Sequence, residues 1–305
     1  KVCFHIILFM LMKIDDVLNY KIGIIGLGVL GSAIAECFIN KKIKLIGYDL
    51  SDKFYKKLNK SYFSKTDDLD QIYSECDIVL TCLPSEESLL EVTKEISSKV
   101  LIIETSTLPL DCKKKARDQL NNSNCKIVDA PLSGNRLAAL EGNLSAYLSG
   151  NKNEKIIAKK VLDLFCQKVT DVGDFGNGIV IKLIGNILNL VHNAVSAEVL
   201  TLGMKVGLKP EIIYEAISGT FSSSGVFENR GKLMVDQDFE KEGMNFSTPM
   251  KDSKFITELS RSNLVALPIY QVALQYYYSA VANGLGDKDA SSVIKIIEKN
   301  ANLSR

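Results

Sequence analysis

The sequence predicts an α/β chain: a doubly wound parallel sheet followed by an all-helical C-terminal region. Three observations predict it. From residue 21 to about residue 176, short aliphatic runs alternate with polar, helix-compatible segments. A Gly-x-Gly-x-x-Gly pattern joins the first run to the first helical segment. After residue 176 the strand-like runs stop and long segments of helical period take over.

The elements follow in order. "KIGIIG" (21–26) is a short apolar run ending in glycine, as a buried strand does. "VLGSAIAECFIN" (29–40) places Leu30, Ile34, Cys37 and Phe38 at helical spacing. "IKLIGYD" (43–49), "DIVLTCLP" (77–84), "KVLIIETST" (99–107) and "KIVDAPLSG" (126–134) read as further strands. They are continuously apolar, which fits a sheet covered on both faces. Helices are expected at 177–206, 210–218, 223–236, 250–262 and 268–283. Gly207 and Pro210 mark one helix stop and the next start. The expected division is a terminal extension outside the fold (1–20), a dinucleotide-type sheet domain (21–176) and a helical domain (177–305).

Composition narrows the function classes. The 305 residues are 46% hydrophobic and 24% charged, with a formal net charge of +1. No strong field of either sign points to nucleic acid or to an anionic membrane. Seven cysteines (3, 37, 76, 82, 112, 125 and 166) contain no CxxC pair, so they read as reduced thiols in a cytoplasmic protein, with no metal site. "VCFHIILFMLM" (2–12) is apolar but shorter than the ~20 residues of a spanning helix. No small-residue cleavage site follows it, so it reads as sequence upstream of a true start at Met10 or Met12. No other segment reads as long and apolar enough to cross a membrane.

The glycine pattern is Gly26-x-Gly28-x-x-Gly31, after a strand and opening a helix, the context that makes it a Rossmann-type phosphate loop. Gly26 permits the tight turn, Gly28 admits a pyrophosphate against the backbone, and Gly31 allows close helix–strand packing. Val29 and Leu30 supply N–H groups at the helix start, where anions are favoured. Asp49 ends the next strand, where a carboxylate accepts from the adenosine ribose. That charge repels a 2′-phosphate and no arginine stands beside it, so NAD is favoured over NADP; Lys53 is the nearest cation following it.

"GIVIKLIGNILN" (178–189) raises a different question, because a lysine sits in a nearly aliphatic run. At about 100° per residue, Lys182, Asn186, Asn189 and Asn193 fall within an arc of about 60°, with Ser196 beside it. A surface helix is polar over far more of its circumference. The expectation is a buried helix whose polar stripe faces water, a ligand or partner groups, since unpaired buried charge is costly. A lysine in a water-poor pocket loses proton affinity, which suits proton transfer near neutral pH.

Taken together, these motifs resemble the β-hydroxyacid dehydrogenases, the 3-hydroxyisobutyrate dehydrogenase group, from about residue 21 to the C-terminus. "IGIIGLGVLGSAIA" is similar to the family's opening fingerprint. "CLPSEESL" and "ETST" resemble its cofactor loops, which implies Leu83, Pro84, Ser106 and Thr107. "DAPLSGNRLAALEGNLSAYLSG" resembles its substrate signature, which implies Ser133, Gly134 and Asn135 at the recognition turn. "GNGIVIKLIGN" resembles the catalytic helix and implies Lys182 as general acid/base and Asn186 as its companion. "FSTPMKDSKF" implies Lys251 near the cofactor, beside Asp252, and "GLGDKDASSVI" resembles the closing segment. Arg136 departs from the small residues usual in the family; its guanidinium either pairs with a second carboxylate of the substrate or points to solvent. The resemblance implies an NAD(P)-dependent enzyme interconverting a small β-hydroxy acid and its semialdehyde or keto acid, working as a homodimer or homotetramer. The rival readings are an imine reductase-like enzyme, which does not keep the lysine, and a non-catalytic cofactor-binding module.

Overall fold

The computed structural model describes residues 17, 19–51, 53–54, 56, 58–94, 96, 98–121, 123–240 and 244–305. The expected start at Met10 or Met12 lies outside those residues. The chain divides into two compact units, one ending at Lys182 and the other running Leu183–Arg305. The boundary therefore falls six residues later than the change of pattern at 176.

The first unit runs β1 (Ile22–Ile25), α1 (Val29–Asn40), β2 (Leu45–Tyr48), β3 (Phe63–Lys65), α2 (Leu69–Glu75), β4 (Ile78–Thr81), α3 (Glu86–Val92), β5 (Leu101–Glu104), α4 (Leu110–Gln119) and β6 (Lys126–Asp129). It continues with β7 (Leu132–Ser133), α5 (Arg136–Leu140), β8 (Leu144–Leu148), α6 (Lys152–Leu162) and β9 (Cys166–Asp171). Six parallel strands are ordered β3-β2-β1-β4-β5-β6. The order reverses between β1 and β4, the crevice where open α/β sheets bind ligands.

The apolar strands are covered on both faces, as their lack of alternation implies. Ile22, Ile24, Ile78, Leu80, Leu101 and Ile103 pack with Ile34 and Phe38 of α1 and Val161 of α6. Ile25, Val79, Ile102 and Ile127 pack on the other face with Ile72 of α2, Leu89 of α3 and Ala116 of α4. Each fully buried side chain of this size contributes about 1.5–3 kcal/mol.

Cys76, Cys112 and Cys125 belong to the second face. Burial, their largest influence, pushes these thiols up to about 12, about 11 and about 12, from a usual value of 9.0. A raised pKa means that the unfolded chain loses these protons first. Stability from the three thiols is full below pH 9.0 and is lost as pH rises toward about 11 to 12. The melting temperature should fall through that window, and less steeply in a Cys76→Ala, Cys125→Ala double variant. An unchanged slope in the variant would discount the thiols.

Four features differ from the sequence expectation. The run 126–134 is two strands in two sheets, because Pro131 follows β6 and the chain turns into β7. β7, β8 and β9 form a separate three-stranded sheet that was not expected; β8 alternates buried and half-buried residues, so its signal was weaker than that of the central strands. β3 is a three-residue edge strand, too short to show a period. Val17, placed by the sequence in an extension outside the fold, is fully buried in the first cluster, and Tyr20 packs against it.

The second unit takes most of α7 (Asn177–Lys205), a 29-residue helix that begins in the first unit. It continues with α8 (Pro210–Ile217), a π-type turn (Phe227–Gly231) leading into α9 (Lys232–Asp236), α10 (Ser247–Ser262) and α11 (Pro268–Ala282). A 3-10 turn (Ala290–Val293) and α12 (Ile294–Asn300) follow. The expected helix 223–236 is present from residue 225, with a π segment inside it, and the helical segment after residue 290 was not expected.

The expectation of a wholly buried α7 needs correction. Ile184 is 46% exposed, Leu188 52% and Leu202 66%. Its most apolar window has a mean hydropathy of 1.4, so by length and composition alone it is long and apolar enough to cross a membrane, contrary to the sequence reading. A third of that window is buried (33%), and the buried side includes Asn193, held by protein partners.

Candidate active site

The glycine loop is built by close backbone approach. Gly26 follows β1 with φ +94° and donates its N–H to Tyr48 O, 2.9 Å away. A Cβ on Gly26 would lie 2.3 Å from Cys82 O, and one on Gly31 would lie 1.9 Å from Gly26 O. The turns after β1 and β4 therefore abut at the point where strand order reverses. Gly28 precedes α1, and a Cβ there would meet nothing within 4 Å. Val29 and Leu30 open α1 behind it, with Val29 51% exposed. Open space against backbone at a helix start with unpaired N–H groups fits a dinucleotide pyrophosphate.

Asp49 follows β2 and does more than the sequence indicated. Its Oδ2 accepts from Leu27 N–H at 2.5 Å and its Oδ1 from Ser51 N–H at 2.6 Å. The carboxylate thus shapes the glycine loop. The Lys53 ammonium lies 5.3 Å from the Phe54 ring centroid, within its own turn.

The loops after β4 and β5 are cross-linked. Leu83 N–H donates to Ser106 Oγ at 2.8 Å. Ser106 N–H donates to Glu104 Oε1 at 2.8 Å, and Thr81 Oγ1 donates to Glu104 Oε2. Ser85 caps α3 just beyond Pro84, in a capping box with Ser88. Thr107 is half-buried at the end of the same segment. The structure therefore brings Gly26, Gly28, Gly31, Leu83, Pro84 and Ser106 to one end of the sheet.

The recognition turn runs from β7 into α5. Ser133 is half-buried, Gly134 has φ +131°, and Asn135 caps α5 by accepting from Ala138 N–H at 3.0 Å. Asn135 thus uses its side-chain oxygen to cap the helix. Arg136 is the first residue of α5 and is half-buried.

Sequence reasoning missed a buried ionic cluster behind these loops. Glu104 and Asp129 end β5 and β6 and are register partners. Lys113 of α4 reaches between them, 2.6 Å from Asp129 Oδ1 and 3.6 Å from Glu104 Oε1, and all three side chains are 0% exposed. Asp129 Oδ2 also accepts from Ile179 N–H at 2.8 Å, and Ser149 Oγ accepts from Gly176 and Gly178 N–H at 3.2 and 3.0 Å. The available signal was two carboxylates directly after the apolar runs Leu101–Ile103 and Ile127–Val128, where a buried charge demands partners. Lys113 itself was hidden among Lys114, Lys115 and Arg117.

α7 carries Lys182, half-buried, three residues after Ile179. Asn186 follows one turn later, at the start of the second unit. Asn186 Nδ2 donates to Asp252 Oδ2 at 2.7 Å, and Asn189 Nδ2 donates to Asn186 Oδ1 at 3.3 Å. A small cavity is lined by Asn186, Asn189, Arg230, Asp252, Tyr270 and Tyr277. Burial, and then the Asp252 charge, hold the Tyr270 phenol well above its usual range, so it stays protonated. Further along, the stripe turns structural. Asn193 is 0% exposed and donates to Tyr277 Oη and Ala290 O, and Ser196 donates to His192 O. Lys251 sits beside Asp252 on α10, its side chain 38% exposed and its ammonium 5.9 Å from the Phe255 ring centroid.

Comparison with known proteins decides the family. Residues 21–173 match the model of the NAD binding domain of 6-phosphogluconate dehydrogenase, and residues 176–297 match that of the NAD-binding of NADP-dependent 3-hydroxyisobutyrate dehydrogenase. The chain belongs to the β-hydroxyacid dehydrogenase family. It is an NAD(P)-dependent oxidoreductase of small hydroxy acids. Among similar proteins, the 2-(hydroxymethyl)glutarate dehydrogenase of Eubacterium barkeri is 28% identical over 94% of this chain and 97% of its own. The L-threonate dehydrogenase of Pectobacterium atrosepticum is 26% identical over 91% of this chain and 94% of its own. The 3-hydroxyisobutyrate dehydrogenase of Mycobacterium tuberculosis, solved with L-serine, shares the fold at a TM-score of 0.83 and 20% identity, over 91% of this chain and 99% of that one.

Proposed function

We propose that this β-hydroxyacid dehydrogenase interconverts a small β-hydroxy acid and its semialdehyde or keto acid with Lys182 as general acid/base. The observation that carries the reading is a half-buried lysine in a nearly aliphatic helix, one turn before an asparagine already fixed by Asp252. A bound nicotinamide supplies the hydride chemistry. Lys182 holds or releases the proton at the substrate oxygen as carbinol and carbonyl interconvert. Asn186 orients that oxygen and the lysine. Ser133, with the backbone N–H groups of Gly134 and Asn135, receives the substrate carboxylate. Arg136 serves a second polar arm of the acid.

The relatives name the acids to try first: L-threonate, 2-(hydroxymethyl)glutarate and the 2-hydroxy-3-oxopropionate acted on by an Escherichia coli reductase. A panel of these with 3-hydroxyisobutyrate, 3-hydroxypropionate, glycerate and 4-hydroxybutyrate, followed by absorbance of the reduced cofactor, tests the reading. Turnover of at least one pair is expected. No turnover of any, with either cofactor, would favour a non-catalytic binding module.

We read NAD as the preferred cofactor, supported by the Asp49 carboxylate at the end of β2. Asp49→Ala should weaken NAD binding about tenfold and narrow the preference over NADP by a similar factor, as loss of a charged hydrogen bond does. An unchanged NAD/NADP ratio would remove Asp49 from the argument. Self-association through the helical unit belongs to the same reading. It is supported by the exposed apolar flank of α7, including Ile184, Leu188, Val195, Val199 and Leu202. Light scattering should find a dimer or tetramer; a monomer at assay concentration would refute it.

A further inference from the structure

The buried Lys113 cluster spans two places that the proposed reaction must keep in register. At one end, Glu104 accepts from Ser106 N–H, and Ser106 Oγ accepts from Leu83 N–H, so the carboxylate braces both cofactor loops. At the other end, Asp129 Oδ2 accepts from Ile179 N–H, and Ser149, which donates to Asp129, accepts from Gly176 and Gly178 N–H. These N–H groups at the start of α7 have no intrahelical acceptor and are satisfied here by Ser149 and Asp129. Gly178 permits the approach, since a Cβ there would lie 2.4 Å from Tyr147 O and 2.7 Å from Asp129 Oδ2. Lys113 joins the two ends through Asp129 at 2.6 Å and Glu104 at 3.6 Å.

A helix start needs only a local Ser, Thr, Asp or Asn for its stability. Here the cap comes from residues 129 and 149, at the far end of a fully buried charge cluster. A buried ion pair is weak grounds for stability, because desolvation offsets the attraction; specifying one geometry is its better-attested use. Lys182 lies one turn beyond Ile179, so any rotation or slide of this first turn moves its ammonium. We propose that Glu104, Lys113, Asp129 and Ser149 form a positioning relay that sets Lys182 against the cofactor loops, with Asp129 as its key residue. The relay acts through Lys182 and rests on the acid/base reading of that residue.

The test uses the full chain with the best substrate of the acid panel, comparing Asp129→Asn, Ser149→Ala and Lys182→Ala. Asp129→Asn keeps the volume but weakens the grip on Lys113 and Ile179. Its kcat should fall about 10- to 100-fold, the scale of an ångström-level misplacement, while the Kd for NADH stays within about threefold. The midpoint of the kcat–pH profile should also move, because the surroundings of the Lys182 ammonium change. Ser149→Ala should give the same pattern at about three- to tenfold. A folded Asp129→Asn variant with a lower melting temperature, kcat within about twofold and an unmoved pH profile would reduce the cluster to a structural pin. Should Asp129→Asn not fold, Ser149→Ala decides by the same readouts. If Lys182→Ala keeps its turnover, the acid/base reading itself fails. If Lys182→Ala is inactive while Asp129→Asn and Ser149→Ala both turn over normally, only the relay fails.

Discussion

Lys182→Ala should lower kcat by about 10²- to 10⁴-fold, the range expected when a general acid/base is removed. The Kd for NADH should change little, because the glycine loop and Asp49 lie on other elements of the first unit. Lys182→Arg sharpens the expectation. Arginine keeps the positive charge but does not give up its proton at accessible pH. If the lysine acted only as a fixed charge, arginine would restore much of the rate; as a proton carrier, the arginine variant should be nearly as slow as the alanine one. Retention of more than about 5% of kcat by Lys182→Ala on the best substrate would overturn the assignment.

Gly31→Ala should damage fold and cofactor binding together. The added methyl would sit 1.9 Å from the Gly26 carbonyl oxygen, and that neighbour is backbone, held by β1 and by the turn after β4. Relief requires α1 to move away from β1, at a cost of about 1–3 kcal/mol. For a chain of this size that is several degrees of melting temperature, about 2–4 °C per kcal/mol. Dinucleotide affinity should fall more than about tenfold, because the N–H groups at the start of α1 move with the helix. Gly28→Ala supplies the contrast. Its methyl meets nothing within 4 Å, so the melting temperature should hold while affinity drops. Equal effects of the two substitutions on stability, or none on affinity, would refute the cradle.

The parts that were legible in sequence are those whose signal is local. Ile22–Ile25, Ile78–Thr81 and Leu101–Glu104 are buried at every position and apolar up to their last residues, because both faces of their sheet are covered. The glycine loop was legible because its three residues occupy one turn. Lys182 was legible because a lysine among isoleucines and leucines has no ordinary explanation. The stripe was legible as a face, but which of its residues meet protein groups was not. Asn193 and Ser196 share its face, yet Asn193 is consumed by Tyr277 and Ala290, residues about ninety positions away. The exposure of Ile184, Leu188 and Leu202 was not legible either, since an apolar residue does not state what covers it.

The sequence by itself determined the fold class, the phosphate loop and the lysine on its helix, because each follows from spacing within one or two turns of chain. The tertiary structure alone decided how those pieces are braced. In the sequence Lys113 is one of four basic residues between positions 113 and 117; the structure sets its ammonium between Glu104 and Asp129 on adjacent strands. Asp49, expected on the ribose from sequence, was found also to brace the glycine loop, its oxygens accepting from Leu27 and Ser51 N–H. The physical reason is common to both. A polar group taken out of water must find a partner, and the partner is whatever the fold brings near, however distant it lies along the chain.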